Sequence, residues 1–216
     1  SKSLGNSPDP IKLINDYGAD AIRFGIMLVA PQGQDILFSE ERIKQGRNFM
    51  NKIWNVARFL SFNSNEITII SENELSNENL DFSDKWIIKK LDNTIESINL
   101  NFKNYKFNEI AKCLYEFVWF DYCDWYVEII KSRLKSDNLE EKTIVFSNAL
   151  IIFNKVLKLM HPFAPFITEE LWNRFRLHNN DLDIVVSDWP QKSTFKFDKK
   201  INIKFEDLKD IITKIR

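Results

Sequence analysis

The stretch from Phe107 to about Leu134 constrains the fold most. Its apolar residues Ile110, Ala111, Leu114, Phe117, Val118, Tyr122, Trp125, Tyr126 and Ile129 recur every three or four positions, the spacing that puts side chains on one face of an α-helix. Its centre, FVWFDYCDWYVE, is apolar nearly all round, and such a helix has to be covered on several faces. Several neighbouring helices meet that demand.

The flanking sequence supplies them. Asp9-Pro10 reads as an N-cap with proline at the first helical position, and Gly18 as a stop, so IKLINDYG is a short helix. ADAIRFGIMLVA follows as a mostly apolar, buried helix, and PQGQDILF as a loop with an extended end. Ser39 caps a long helix to about Phe62, with Glu40 and Glu41 at the positive end of its dipole. Residues 64–83 read as a solvated acidic linker, and Ser83 as the start of a helix to about Tyr105. A further helix runs from about Glu140 to Met160 and stops at His161-Pro162; Thr168 caps a shorter one, TEELWNRFR. Helices of this kind with short connections predict an all-α antiparallel bundle. After His178 the pattern changes. DIVVSDWP predicts a short strand, KSTFKFDKKINIKF is basic with some alternation, and EDLKDIITKIR begins an amphipathic helix without a visible partner. The fold expected is thus a helix bundle with a small C-terminal extension containing a strand and a helix.

Composition excludes several function classes. A formal net charge of −1 argues against a surface that is basic throughout, while permitting local basic faces. No run is expected to reach the roughly 18 apolar residues of a spanning helix, and no signal peptide is expected at the start. Cys113 and Cys123 lie ten apart in one helical pattern, about 15 Å at the helical rise, so they cannot pair with each other. With only His161 and His178, a zinc site is not expected. The chain is expected to be soluble, cytoplasmic and monomeric, with no metal and no membrane partner.

Several segments carry a family resemblance. SKSLGN at the start is similar to the end of the KMSKS signature of class I aminoacyl-tRNA synthetases, and DPIKLINDYGADAIRF resembles the segment after that signature in the valyl, isoleucyl and leucyl enzymes. GQDILFSEERIKQGRNFMNKIWNVARF and FVWFDYCDWYVEIIK resemble the valyl enzymes in particular; HPFAPFITEELW and the closing DWP fit the group's anticodon-binding bundle. The resemblance runs in the family's order from Ser1 to about Pro190. It implies a C-terminal fragment that begins inside the catalytic loop, with the Rossmann and editing domains of its own longer chain as partners. It also implies three divisions: residues 1–38 as the end of the signature loop and stem-contact helices, 39–178 as the anticodon-binding bundle, and 179–216 as an extended connection and the truncated start of a further region. The isoleucyl enzyme is the rival within the family; a helical protein-interaction module using its aromatic face is the rival outside it.

By the same resemblance Lys2, flanked by Ser1 and Ser3, is the signature's ATP-binding lysine, acting on the α-phosphate in a complete enzyme that uses ATP and Mg to activate valine and esterify it to tRNA(Val). The fragment alone is expected to hold neither cofactor, to be inactive, and to bind at most the anticodon arm. For that task the Ser39 helix is the place to look. At about 100° per residue, Ile43, Met50, Ile53, Ala57 and Leu60 share an inner side, whereas Gln45, Asn48, Lys52, Asn55 and Phe59 share another. The second set offers amides to base edges, a cation to phosphate and an aromatic face to an unstacked base, with Arg42 long enough to reach a phosphate. The bland alternative is that Asn and Lys solvate an outer face while Phe59 is core. Arg47 and Arg58, with Trp54 between them, fit phosphate contact, a salt bridge or stacking within the bundle. Asp121, Asp124 and Glu128 are expected to pair with cations from other helices, His161 to act as a helix C-cap cation, both cysteines to be core, and Lys192 to Lys204 to form a basic stretch able to track an RNA backbone.

Overall fold

Local signals set the first elements where the sequence places them. In the computed structural model, which describes residues 8–30, 33, 38–64, 67–176, 183–198 and 200–215, helix α1 spans Pro10–Tyr17. The Asp9 side chain accepts from the Ile11 N–H, Pro10 opens the helix and Gly18, at φ 88°, closes it. Then come α2 (Ala19–Met27), α3 (Glu40–Phe62), α4 (Phe82–Lys103), α5 (Phe107–Glu116), α6 (Val127–Arg133), α7 (Leu139–Met160), α8 (Pro165–Phe175) and α9 (Ile201–Ile215).

Helices α2 and α3 meet backbone to backbone. A Cβ on Gly46 would stand 2.2 Å from the Ala21 carbonyl oxygen, and one on Gly25 would stand 2.5 Å from that of Arg42, so only glycine fits at either crossing. The Phe24 and Phe49 rings, with centroids 4.6 Å apart, continue this contact into the core. Asp20 on α2 also caps another helix: its carboxylate accepts from the backbone N–H groups of Phe166 (3.3 Å) and Ile167 (2.6 Å) at the start of α8. Arg23 donates to the carbonyls of Pro162 and Phe163 at the same corner. Together α2, α3 and α8 form a stiff corner against the bundle.

Between α5 and α6 the chain runs as a π-helical segment, Phe117–Tyr126, which a reading at 3.6 residues per turn does not anticipate. Tyr122 and Tyr126, both buried, donate from there to the Ala149 carbonyl and the Asp84 carboxylate, at 2.8 and 2.7 Å. Asp84, fully buried, joins three helices: it also takes Arg133 from α6 (2.9 Å) and Asn148 from α7 (3.4 Å). Burial pushes this carboxyl above its ordinary range, and the neighbouring Asp81 adds to that, with Arg133 and Tyr126 opposing. Helix α7 is long and apolar enough to cross a membrane by length and composition alone, contrary to the expectation that no segment comes close, but 83% of that stretch is buried inside the bundle. It is the central core helix.

Other expectations are corrected. Ser83 does not cap α4; Asp81 does, in a reciprocal box with Asp84. Thr168 lies inside α8, donating to the Ala164 carbonyl one turn back, because Pro165 opens that helix. The acidic segment after α3 is not merely solvated: Leu75 and Leu80 are buried, Glu72 pairs with Lys155 and the Ile70 N–H donates to Ser147. No strand forms among the described residues; Ile184–Val186 makes a 3-10 turn with Ile184 buried. INIKF belongs to α9, and that helix has a partner. Phe205 lies flat on the Trp86 ring of α4 (3.7 Å, 7°), and Lys209 sits over Trp86 and Trp125 while pairing with Asp121 at 3.0 Å.

Candidate nucleic-acid interface

Helix α3 divides into the sides its period predicts. Ile43, Met50, Ile53, Ala57 and Leu60 are all buried. On the outer side Asn48 and Asn55 are exposed, and with them Asn51, which the sequence reading passed over although it lies three residues from one and four from the other. Among the described residues none of these three amides has a hydrogen-bond partner, so their donors and acceptors face solvent along two turns of helix. Arg42, also exposed, holds Gln45 at 2.8 Å.

Lys52 and Phe59 sit deeper than the asparagines, at the seam between α3 and the π-helical segment. Lys52 forms an ion pair with Asp124 and lies over the Trp119 ring, 4.9 Å from its centroid. The phosphate cation expected from the sequence therefore already has a carboxylate partner, and a phosphate there would compete with Asp124. Phe59 is half-buried and packs against the core, with Lys131 5.9 Å above its ring and paired to Glu128. Phe59 is thus both core and platform. Trp119 and Lys131 come to this seam from a helix far along the chain, and no pattern within α3 points to them.

Two carboxylates of the aromatic helix pair with other helices as expected, Asp121 with Lys90 and Lys209 and Asp124 with Lys52, whereas Glu128 pairs with Lys131 on its own helix, one turn along. Arg47 donates to the Asp16 carbonyl and lies over Tyr17, Arg58 over Phe62, and Trp54 under Arg174, which is stacking within the bundle. His161 ends α7, but it is no simple cation. Burial holds its pKa below the ordinary histidine value, against the pull of Glu169 and Asp20, and its Nδ1 lies 2.8 Å from the Thr168 hydroxyl. Cys123 is buried, its thiol pushed up to about 12 by burial, while Cys113 is half-buried; both are free. In the basic C-terminal stretch Lys192 pairs with Glu96 and Lys204 with Asp198. Ser1, Lys2, Ser3 and His178 lie outside the described residues. Among the described residues no group of three or more His, Cys, Asp or Glu side chains could hold a metal ion.

The fold is an all-helical bundle whose outer helix α3, among the described residues, turns three unpartnered amides toward solvent beside aromatic rings. The crystal structure of the ternary complex LeuRS-tRNA-LeuAMS of Agrobacterium radiobacter K84 shares the fold, with a TM-score of 0.63 at 18% identity over 94% of this chain and 22% of that one. Residues 84–216 match the anticodon-binding domain of tRNA ligase, and residues 1–39 match the class I tRNA synthetases of the I, L, M and V group. The chain belongs to the anticodon-binding-domain family of tRNA ligases. It is 39% identical to the valine--tRNA ligase of Fusobacterium nucleatum across 100% of its own length and 24% of that protein. To the valine--tRNA ligases of Listeria innocua and Aquifex aeolicus it is 38% and 39% identical, again over its whole length. It spans about a quarter or less of these relatives (24%, 24% and 19%).

Proposed function

We propose that the chain binds the anticodon arm of a valine tRNA as part of a valyl-tRNA synthetase, with Asn48, Lys52, Asn55, Phe59 and Arg42 on the contact surface and Asn51 added to them. The observation that carries this is the whole-length similarity to valine--tRNA ligases at 38–39% identity; the solvent-facing amides of α3 support the placement. Loop bases of a tRNA are unstacked and present their edges, which amide side chains can both donate to and accept from. Phe59 and Trp119 offer faces on which such a base stacks, worth about 1–3 kcal/mol per base. Lys52, drawn from Asp124, and Arg42 would meet the phosphates between those bases.

In this reading residues 39–178 are the binding unit, residues 1–38 join it to a catalytic domain that acts with an editing domain, and the chain is a cytoplasmic monomer. The complete enzyme would use ATP with Mg to activate valine before esterifying it to the tRNA. The described residues carry no cluster suited to a metal ion. Lys2 lies outside them, so no step of that chemistry is derived from this geometry. The test is a titration of the chain with valine and isoleucine tRNAs at two salt concentrations. Preference for the valine tRNA, with affinity falling about tenfold between about 50 and 200 mM salt as two or three phosphate contacts require, supports the reading. Equal affinity for both would favour no valyl role, and no binding to either would overturn RNA recognition by this chain.

A further inference from the structure

On the flank of α3 turned away from Lys52 lies a cavity of about 410 Å³, closed by α7 on one side and by the end of α8 on the other. That volume falls in the range of small-ligand sites. Its floor is apolar: Ala57, Phe146, Leu150 and Leu171 are all buried. Its mouth carries Arg58, Arg174 and Arg176 with the exposed rings of Trp54 and Phe62, and among the described residues the lining contains no aspartate or glutamate. Arg174 lies over Trp54, 5.2 Å from the ring centroid, and Arg58 lies 6.0 Å from that of Phe62. Arg174 also pairs with Glu170 one turn back on α8, where both side chains are more than half exposed. Such a pair contributes little and yields readily to a phosphate.

We propose that this cavity receives one nucleoside phosphate unit, an unpaired nucleotide of the bound RNA other than those that meet the Asn48 to Phe59 stripe. The inference rests on the RNA-binding reading above. A base is planar and apolar on its faces, matching the floor and the two mouth rings, and its phosphate matches guanidinium forks that can hold it bidentately. Three arginines stand at this mouth against the one exposed carboxylate of Glu170, whereas at the Lys52 seam a single lysine is already held by Asp124. Arg58 precedes Phe59 by about 100° round the helix, so a loop lying across the outer side of α3 can place bases on both flanks.

The experiment titrates the chain with the anticodon stem-loop of a valine tRNA, in parallel for wild type, the Arg58→Ala/Arg174→Ala double variant, Phe62→Leu and Lys52→Ala, each over a salt series. Adenosine monophosphate is titrated alongside. Both arginines and Phe62 are exposed, so circular dichroism should show all variants folded. The double variant is expected to bind the stem-loop at least tenfold more weakly, with its salt slope shallower by about 0.7 for each phosphate it no longer holds, and Phe62→Leu is expected to weaken binding to a smaller degree. If the double variant matches wild type in affinity and slope while Lys52→Ala weakens binding, the cavity takes no RNA nucleotide and the inference falls, leaving the anticodon reading intact. If wild type binds no stem-loop, both fall. Arginine-dependent binding of the monophosphate with no change toward the stem-loop would assign a free-nucleotide site and likewise overturn the RNA assignment.

Discussion

Toward α2, helix α3 presents Gly46, and the approach is so close that a single added carbon would meet the Ala21 carbonyl oxygen at 2.2 Å. Toward the π-helical segment it presents Lys52 and Phe59, held by an ion pair and by ring contacts that stay partly open to solvent. The first flank is fixed by backbone sterics, where the neighbour has nowhere to move. The second is fixed by long side chains that can exchange partners at small cost. A surface that must hold its shape yet hand its polar groups to a ligand needs both. Substitutions on the two sides should therefore fail in different ways.

The largest effect is expected at the rigid flank. Gly46→Ala should lower stability by about 3 kcal/mol, the upper part of the range for overpacking, read as a fall in the urea midpoint; a neutral result would show that α2 can slide away. Next is Phe59→Leu, which keeps apolar volume and removes the aromatic face. Stability should change by less than about 1.5 kcal/mol, while stem-loop affinity falls by about 1–3 kcal/mol, seen in a binding titration. Lys52→Ala should cost under about 1 kcal/mol in the same urea experiment, since its pair with Asp124 is partly solvated, and should make the salt slope of RNA binding shallower. The smallest effect concerns His161, at the corner that α2 braces through Asp20 and Arg23. Its pKa is lowered in the folded state, so below the ordinary histidine value the unfolded chain binds more protons than the folded one, and stability falls as pH drops through that range. His161→Gln should flatten this dependence between about pH 7 and pH 5 without changing RNA affinity.

Signals confined to a few neighbouring residues were legible in the sequence. Asp9, Pro10 and Gly18 set α1 through their own backbone preferences, and the inner stripe of α3 followed from the helical period alone. Signals that depend on a distant partner were not. The alternation in INIKF suggested extended chain until Trp86 supplied a flat surface for Phe205 across two helices. Ile184 looked like a strand residue because burial alone makes no ladder. The acidic segment hid Leu75 and Leu80, whose burial depends on helices elsewhere. At the proposed interface the shared outer side of Asn48, Lys52, Asn55 and Phe59 could be read from spacing, and Asn51 could have been. That Asp124 holds Lys52, and that Trp119 and Lys131 complete the seam, depends on where the π-helical segment lies. The glycine contact had a local hint: a glycine in mid-helix costs about 1 kcal/mol relative to alanine, and Gly46 has no other reason to be there.

The most direct test measures two quantities on two variants. Stem-loop affinity and urea midpoint are determined for Gly46→Ala and for Phe59→Leu beside wild type, with affinity read under conditions where each variant is folded. The account predicts a crossed pattern: Gly46→Ala lowers the midpoint and keeps affinity, while Phe59→Leu lowers affinity and largely keeps the midpoint. If Phe59→Leu binds the stem-loop as wild type does, or if both variants lower both quantities together, the outer side of α3 is not the RNA surface and the division between its flanks is wrong.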